Sequence, residues 1–488
     1  MPVNFTFHSA DLIRFLPETI LTVAATLMMV LDPLVHKRSS SLFGNMSLVA
    51  LVAAAAAAVY AFTAQAGAAF GGMLSIDGFA TFFRVLVMVV GVLTVLPSFR
   101  FLDRQDAETS EYHALLLFSI AGQSIMASAN DLIIIFIGLE ISSIASYILA
   151  GYFRDDKRAN EAALKYFLLG SFATAFFLYG IALIYGATGS TNLSTVHGVL
   201  GGPNAPKEVF VGLSAALMFV GLGFKVSASP FQIWAPDVYQ GAPTPISAFL
   251  SAGPKAAAFA VFLRIFMTAF EPIGPGWEPL IWGSALLSMT IGNFAALLQS
   301  NVKRLLAYSS IAHAGYVLVA LTARRDSGVA AAMFYLAAYA LMNIGAFAVV
   351  SHLSGKGEQY QSVEDFSGLA QKQPLTAAML SIFLLSLIGV PLTGGFFGKF
   401  YIFKAALESH LVWLTVLGLL NSAVAAYYYL RILVMMYMRD PSEATARVEP
   451  LSPGLRAALI LPAAGTLFLG IFPNWVLDFA GRSSTLLK

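Results

Sequence analysis

Long apolar stretches follow one another along almost the whole chain, separated by short polar segments. A helix of about 20 apolar residues crosses the ~30 Å hydrocarbon core of a bilayer. Fourteen stretches meet this length, at 12–31, 42–64, 78–99, 112–129, 132–151, 161–186, 208–234, 244–269, 279–299, 303–322, 327–353, 374–407, 411–438 and 453–479. The pattern predicts an all-α polytopic membrane protein of about fourteen transmembrane helices.

The composition agrees with this interpretation. Of the 488 residues, 58% are hydrophobic and 11% are charged, whereas an ordinary soluble domain is about 25% charged. The net charge of +2 and the absence of a basic tract give no sign of nucleic-acid binding. The chain has no cysteine, which excludes thiolate-bound iron–sulfur clusters and disulfides within it. The first segment has no basic region typical of a cleaved signal, so we expect the first apolar stretch to be retained.

The basic residues of the loops predict the orientation. The odd-numbered loops hold 14 of the 28 Lys and Arg residues, and the opposite face, with the termini, holds 6. Because loops on the cytoplasmic side are enriched in Lys and Arg, we expect both termini on the outer side, which in a bacterium is the periplasm. The longest loops, near 187–207 and 354–373, are too short for a soluble domain, so NADH, flavin or nucleotide chemistry would need other subunits.

Two of the predicted spans contain residues that interrupt a helix. In GLGFKVSASPFQIW, Pro230 follows Lys225, and in LIGVPLTGGFFGKFYIF, Pro391 and Gly394–Gly395 precede Lys399. Proline removes a helical hydrogen bond, and unwound backbone at membrane depth is tolerated only inside protein or beside a wet cavity. Broken helices at matching places in two halves indicate inverted repeats around an ion site.

We therefore divide the chain into four parts. Spans 4–8 form a first five-helix repeat and spans 9–13 a second, inverted one, with spans 7 and 12 as counterparts. Three helices precede the repeats and one follows them. The corresponding ranges are 1–111, 112–270, 279–438 and 439–488.

Four of the charged residues inside the apolar stretches lie beside a helix-breaking or small-residue feature: Glu140, Lys225, Lys255 and Lys399. A Lys or an acidic residue at the centre of a membrane helix costs roughly 2.5–3.5 kcal/mol. Several such residues in one chain are typical of a proton or ion pathway. The alternatives are local: a protonated Glu140 that caps a stray carbonyl, or lysines that extend to the membrane surface.

Glu140 and Lys225 form the first candidate pair. Glu140 lies about eight residues, or about 12 Å, into span 5, and no cation lies within one turn of it. At about 6.5 Å and an effective dielectric constant near 20, the two charges would interact by roughly 2.5 kcal/mol. Such an interaction would couple the protonation of the lysine to the carboxylate.

Lys255 and His313 are candidates for the next steps. Lys255 follows Gly253–Pro254 near the midplane of span 8, too deep for easy contact with the surface. His313 lies about ten residues into span 10, and its ordinary pKa near 6.5 suits a proton relay. A lone buried histidine is also often a satisfied core residue.

Other polar residues allow more than one interpretation. Glu161 and Lys165 have the i, i+4 spacing of a helical ion pair, which would either help span 6 enter the membrane or modulate the Glu140–Lys225 site. The loop residues Asp237, Tyr239 and Gln240 are expected to fix the turn between broken helices. Four further basic residues could form interfacial or interhelical ion pairs and receive no assigned role: Arg84, Arg264, Lys404 and Arg431.

Three strings identify a family: FKVSASPFQIWAPDVYQGAPTPISAFLSAGPKAA, NVKRLLAYSSIAHAGYVLVAL and GVPLTGGFFGKFYIF. They resemble the antiporter-like membrane subunits of respiratory complex I, the proton-pumping NADH:quinone oxidoreductase, and most closely the N-type members. The resemblance implies fourteen helices with two inverted repeats in a bacterial inner membrane, beside other antiporter-like and small membrane-arm subunits. It implies that flavin, iron–sulfur clusters, NADH and quinone belong to partner subunits and that this chain binds no cofactor or metal.

The same resemblance implies roles for individual residues. Glu140 matches the family's span-5 glutamate, and Lys225 matches the lysine of broken span 7. Lys255 matches the span-8 lysine, His313 the span-10 histidine and Lys399 the terminal site of span 12. Lys165 matches a further lysine near the first site.

Two other functions remain open from the residues alone. A subunit of a multisubunit cation/proton antiporter would share these charges. A redox enzyme in its own right is opposed by the lack of cysteine and of a histidine pair for haem, because His313 and His352 lie at different depths in their spans.

Overall fold

The protein is described from a computed structural model that covers residues 9–34, 40–107, 109–203 and 205–484. Lys37, Arg38 and Lys488, which contribute to the predicted orientation, lie outside the described residues. The helices before the first predicted repeat are α1 (Ser9–Arg14), α2 (Leu16–Leu31), α3 (Ser40–Gln65) and α4 (Gly78–Arg104). A short antiparallel hairpin of β1 (Gly67–Ala69) and β2 (Leu74–Ile76) joins α3 to α4.

The middle of the chain is also helical. Its helices are α5 (Ser110–Ser128), α6 (Leu132–Ala150), α7 (Lys157–Thr188), α8 (Leu193–Leu200), α9 (Glu208–Val226), α10 (Trp234–Gly241) and α11 (Thr244–Arg264). Polar N-cap residues begin several of them, since the side chains of Asp131, Asp156 and Asn192 accept hydrogen bonds from backbone N–H groups of the first turn. Such caps satisfy N–H groups that have no partner within the helix.

The last part of the chain continues the pattern. Its helices are α12 (Gly274–Leu297), α13 (Val302–Thr322), α14 (Asp326–Leu353), α15 (Leu369–Lys372), α16 (Pro374–Ile388), α17 (Gly394–Glu408), α18 (Val412–Met438), α19 (Glu443–Ala446), α20 (Pro453–Ile471) and α21 (Asn474–Ser484).

The predicted all-α membrane architecture is confirmed. Within the described residues, twelve helical segments are long and apolar enough to cross a membrane. The other two predicted spans coincide with α5, which is 19 residues long, and with the pair α16 and α17. The total of fourteen spans and the division into inverted repeats stay predictions.

Spans 7 and 12 are broken as predicted, and the stretch 453–479 is wrong as a continuous helix. Span 7 ends at Val226, four residues before Pro230, because Ser227 adopts a left-handed conformation with φ of 58°. Span 12 is interrupted at 389–393, and Gly394–Gly395 begin the second helix instead of lying in the break. The stretch 453–479 is divided between α20 and α21, with Pro473 in the gap, where proline cannot continue the α20 hydrogen-bond ladder.

Three helices form the centre of the molecule. Every residue of α11 is buried, and nearly all of α13 and α14 is buried as well. α11 packs against α4, α5, α9 and α14, and α14 also contacts α16, α17 and α20. The outer helices, such as α7 and α18, leave one apolar face exposed. Polar residues on the three central helices are therefore removed from the surface.

Lys303 differs from its expected position. Lys303 is one of the 14 basic residues assigned from the sequence to the odd-numbered loops, but it lies in the first turn of α13 with a side chain that is 0% exposed. Its ammonium donates to Ala242 O at 2.6 Å and to Glu358 Oε2 at 2.9 Å. The ion pair with Glu358 compensates the burial of the charge.

Candidate functional site

The end of α9 places Lys225 inside the protein. The helix terminates with hydrogen bonds from Ser227 N to Phe224 O and from Ala228 N to Gly223 O. Lys225 is only 5% exposed. Its Nζ lies 5.2 Å from the ring centre of Tyr147 and 5.5 Å from that of Tyr166. Aromatic faces attract a cation, so the two rings form a cradle for the ammonium.

Glu140 lies beside this cradle, at the edge of the protein. It lies on the outward-facing side of α6, on which Ile137 and Ile144 are exposed. Its carboxylate interacts electrostatically with Lys225 and with Tyr147. No ion pair within 4 Å joins Glu140 to Lys225. Among the described residues, the Oε1 of Glu140 is buried without a hydrogen-bond partner. The structure thus brings the predicted pair together without direct contact.

The short helix α10 lies between Lys225 and Lys255. Tyr166 stacks on Trp234 with ring centres 4.4 Å apart and planes 8° apart, and Trp234 meets Tyr239 at 6.0 Å. The Nζ of Lys255 lies 5.8 Å from the Tyr239 ring. Three aromatic side chains therefore connect the surroundings of the two lysines.

Lys255 is buried at the middle of α11, next to Pro254. Its Nζ donates to Ser310 Oγ, and to Ser310 O at 3.2 Å. Because Pro254 has no N–H, the carbonyl of Leu250 lacks its helical donor. The hydroxyl of Tyr239 donates to that carbonyl at 3.3 Å, so the helix tolerates proline at full burial.

His313 lies one turn after Ser310 on α13. Its Nδ1 is 2.6 Å from the hydroxyl of Tyr335, and its Nε2 is 3.2 Å from that of Tyr429. A small cavity lies between His313 and Lys255. At about 10 Å³ it has roughly the volume that a single water requires. Both imidazole nitrogens face groups that can donate or accept a proton.

Lys399 lies on α17, and its side chain reaches back to the end of α16. Its Nζ donates to Leu387 O at 3.0 Å, to Ile388 O at 2.9 Å and to Ser422 Oγ at 2.8 Å. These carbonyls have no N–H partner within the helix, because α16 ends there. Tyr316 connects this site to the previous one, with its ring centre 4.9 Å from Lys399 Nζ and 5.6 Å from the His313 ring.

Five of the predicted residues thus lie in one continuous row: Glu140, Lys225, Lys255, His313 and Lys399. None of the three lysines has a carboxylate within 4 Å among the described residues. Their contacts are hydroxyls, carbonyls and aromatic rings, which leave the amine free to change its charge. The arrangement can pass protons stepwise through an otherwise apolar interior.

Glu161 and Lys165 lie apart from this row. Their ion pair has the predicted spacing, with 2.7 Å between Lys165 Nζ and Glu161 Oε1, but Lys165 is 41% exposed. Asp237 pairs with Lys165 at 2.8 Å and with Arg304 at 2.6 Å. Burial alone would raise the pKa of Asp237, but these two cations hold it below its ordinary value. Gln240 also accepts a hydrogen bond from Arg304. Asp237 therefore joins α7, α10 and α13.

The remaining basic residues have partners. Arg84 pairs with Glu18 at 2.7 Å in a fully buried contact between α4 and α2. Arg264 contacts both oxygens of Asp77 at 2.9 Å. Lys404 and Arg431 form looser pairs, both at 3.8 Å, with Glu408 and Glu364. The pairs of Arg84, Arg264 and Arg431 join distant parts of the chain, whereas Lys404 and Glu408 lie four residues apart on α17.

The sequence alone did not identify the aromatic and hydroxyl partners of the row. Each lysine and the histidine faces at least one tyrosine, and these are Tyr147, Tyr166, Tyr239, Tyr316, Tyr335 and Tyr429. Buried tyrosines inside apolar spans were the available signal, because a phenol hydroxyl needs a partner there. Within the described residues, no group of three His, Asp or Glu side chains could hold a metal ion.

Comparison with known proteins finds relatives that cover nearly the whole chain. A family model described as "NADH:quinone oxidoreductase/Mrp antiporter, TM" matches residues 129–425. The chain is 74% identical over 489 residues to NADH-quinone oxidoreductase subunit N 1 of Solibacter usitatus, with 100% of both chains covered. It is 42% identical over 481 residues to subunit N of Trichlorobacter lovleyi, with 99% of this chain and 98% of the relative covered.

Solved structures agree with these relatives. A chain of respiratory complex I from Thermus thermophilus matches with a TM-score of 0.82 and 36% identity, covering 95% of this chain and 99% of that chain. A chain of the archaeal membrane-bound sulfane sulfur reductase has a TM-score of 0.85 at 28% identity, with 98% and 97% covered. The Mrp complex from Dietzia shares the fold at 20% identity, with a TM-score of 0.82 and 97% of each chain covered.

Proposed function

The chain belongs to the family of antiporter-like subunits N of NADH-quinone oxidoreductase, and we propose on this basis that it moves protons across the membrane along its row of buried charges. Quinone reduction elsewhere in the complex changes the charge balance at Glu140 and Lys225. Lys225 then passes a proton through Lys255 and His313 to Lys399. The last residue releases it to the outer side.

The observation that carries this proposal is the continuity of the row. Neighbouring groups are linked by shared aromatic rings, by Ser310 or by the small cavity beside His313. Buried polar groups in membrane spans are costly, so a row of them through the centre of the fold supports a transport role.

Partner subunits supply what this chain does not offer. NADH, flavin, iron–sulfur clusters and quinone belong to them, and the chain lies in the bacterial inner membrane with both termini periplasmic. The partly exposed Glu140 on an apolar stripe would cost roughly 2.5–3.5 kcal/mol against lipid. A neighbouring antiporter-like or small membrane-arm subunit therefore covers this stripe, and lipid covers the other apolar faces.

Glu161 and Lys165 act as modulators in this scheme. Through Asp237 they contact α10, which separates Lys225 from Lys255. A change in their ion pair would shift α10 and its aromatic side chains. The alternative function, a subunit of a cation/proton antiporter, is weaker, because the full-length relatives are complex I subunits and the Mrp likeness shows the fold alone.

The middle of the row provides the direct test. We expect Lys255→Met to abolish most proton pumping by the whole complex in proteoliposomes. The matched control is Lys404→Met, since Lys404 is 57% exposed and forms a loose ion pair, at 3.8 Å, with Glu408. Pumping by Lys255→Met at the rate of the control, with normal quinone reduction, would refute the proposed pathway.

A further inference from the structure

A second polar route leads to Lys255 from the face of the protein that carries the odd-numbered loops. The loops after α4, α6 and α14 and the end of α10 line a charged cavity of about 860 Å³. Glu358 and Gln361 form part of its wall, together with Gly241 at the end of α10. Water and ions can approach Glu358 through this cavity.

Glu358 closes the inner end of the cavity. Its Oε1 accepts hydrogen bonds from Thr244 N at 2.8 Å and from Thr244 Oγ1. Its Oε2 accepts from Lys303 Nζ at 2.9 Å and from Gln361 Nε2 at 3.3 Å. The side chain is 13% exposed, whereas Lys303 behind it is fully buried. The carboxylate therefore has one side towards the cavity and the other towards the protein interior.

The residue with which α11 begins continues the route. Thr244 is the first residue of α11. Ser247 and Ser251 follow on the same helix, eight and four residues before Lys255. Residues at these spacings share one face of a helix. The polar face spans about 16 Å from Thr244 to Lys255 at 1.5 Å per residue.

Neighbouring side chains widen this polar face. Asn343 Nδ2 donates to Ser251 Oγ at 2.6 Å, while its buried Oδ1 has no partner among the described residues. A buried acceptor of this kind is a binding position for water. Ser310, which accepts from Lys255, lies two helical turns after Lys303 on α13.

Beyond Lys255, the same side of the chain becomes apolar. Phe259 and Phe262 follow at four and seven residues, and Phe266 follows at eleven residues, just past the end of α11; all three are buried. Their ring centres lie 6.1 Å and 5.4 Å apart. These side chains offer no polar group, so the route is polar on one side of Lys255 and closed on the other.

We propose that Glu358 and Lys303 form the gate of a proton entrance that leads along α11 to Lys255. Glu358 takes a proton from water in the cavity and becomes neutral, which weakens its ion pair with Lys303. The proton then moves past Thr244, Ser247 and Ser251 to the neutral amine of Lys255. This inference rests on the proposed function and adds a supply that bypasses Lys225.

Cysteine accessibility tests whether the route is wet. The chain has no cysteine of its own, so Ser251→Cys introduces a single thiol that mass spectrometry of this chain can follow. Silver ion is added to the outside of vesicles that contain the whole complex, once for each orientation of the complex in the membrane. The control is Ser214→Cys, because Ser214 is equally buried in α9 and donates its hydrogen bond to Gly180 O, away from the proposed route.

We expect Ser251→Cys to react much faster than the control, and only when silver is on the side of Glu358. Reaction no faster than that of Ser214→Cys, or reaction from the opposite side alone, would overturn the entrance. This measurement does not depend on the activity of the variants.

Proton pumping separates a gate from a structural ion pair. Glu358→Gln and Lys303→Met each leave one member of the pair, and we expect both to lower pumping. The double variant leaves no unpaired buried charge, so a merely structural pair predicts recovery. We expect no recovery, because the proton-accepting carboxylate is still absent, and wild-type pumping by the double variant would overturn the proposal.

Lys399→Ala distinguishes this inference from the proposed function. If Lys399→Ala pumps normally, the whole pathway fails. If it does not pump while the Glu358→Gln/Lys303→Met variant pumps normally, only the entrance fails.

Discussion

The three buried lysines differ in what their ammonium groups contact. Lys255 donates to Ser310, and Lys399 donates to two main-chain carbonyls and to Ser422. Lys225 faces two tyrosine rings and interacts at longer range with Glu140. Lys225 is therefore the lysine whose charge depends most directly on a carboxylate.

Lys399 should need a removable proton and not only a positive charge. We expect Lys399→Arg to assemble into the complex but to pump poorly, because arginine stays protonated at any working pH. Lys399→Ala should lose pumping and some stability as well, since the carbonyls of Leu387 and Ile388 lose their donor. Proton uptake by proteoliposomes and the yield of purified complex measure the two effects. Normal pumping by the Arg variant would make Lys399 an electrostatic support and not a carrier.

Glu140 and Lys225 should behave as one unit. Removal of Glu140 leaves Lys225 without its counter-charge, so Glu140→Ala and Lys225→Ala should each reduce pumping, and the double variant should be little worse than either. Coupled neighbours deviate from additivity by about 0.5–3 kcal/mol. Glu140→Asp should be milder, because it keeps the charge. Losses that simply add in pumping assays would contradict the coupling.

At the scale of helices, the sequence predicts which spans break better than where they break. Pro230 and Pro391 indicated spans 7 and 12, and both breaks are present. However, α9 ends four residues before Pro230, because the left-handed Ser227 closes the helix with hydrogen bonds to Phe224 and Gly223. Lys225 therefore precedes its break, whereas Lys399 follows its own. A local pattern cannot supply such termini, which depend on the packing of Trp234 against the end of α9.

Gly395 allows the two halves of span 12 to meet. A Cβ at this position would lie 1.9 Å from Ser386 O, a backbone atom of α16 that cannot move aside. We expect Gly395→Ala to destabilise the fold by about 1–3 kcal/mol, as overpacking does, and to lower the temperature at which the complex inactivates. Gly212→Ala is the control, because among the described residues no atom outside its own helix backbone and its chain neighbours lies within 4 Å of the added carbon. Equal thermal inactivation of the two variants would refute the close approach.

At the scale of the whole molecule, the sequence predicted the class, the family and the residues that the fold brings into a row. It did not predict the groups between them. Trp234 and Tyr239 reach the row because α10 folds back between α7 and α11, and Glu358 reaches Lys303 from a loop 55 residues away. Such contacts have no periodicity along the chain, so only the packed structure identifies them.

The molecule as a whole should do no redox chemistry when it is isolated. Its 488 residues contain no cysteine, its described residues contain no cluster of three metal-ligating side chains, and its longest predicted loops are too short for a nucleotide-binding domain. We expect the purified chain to oxidise no NADH and to show no visible absorbance, while the whole complex purified from the same cells does both. A flavin, haem or cluster band that stays with the isolated chain through repeated purification would contradict the assignment of all redox steps to partner subunits.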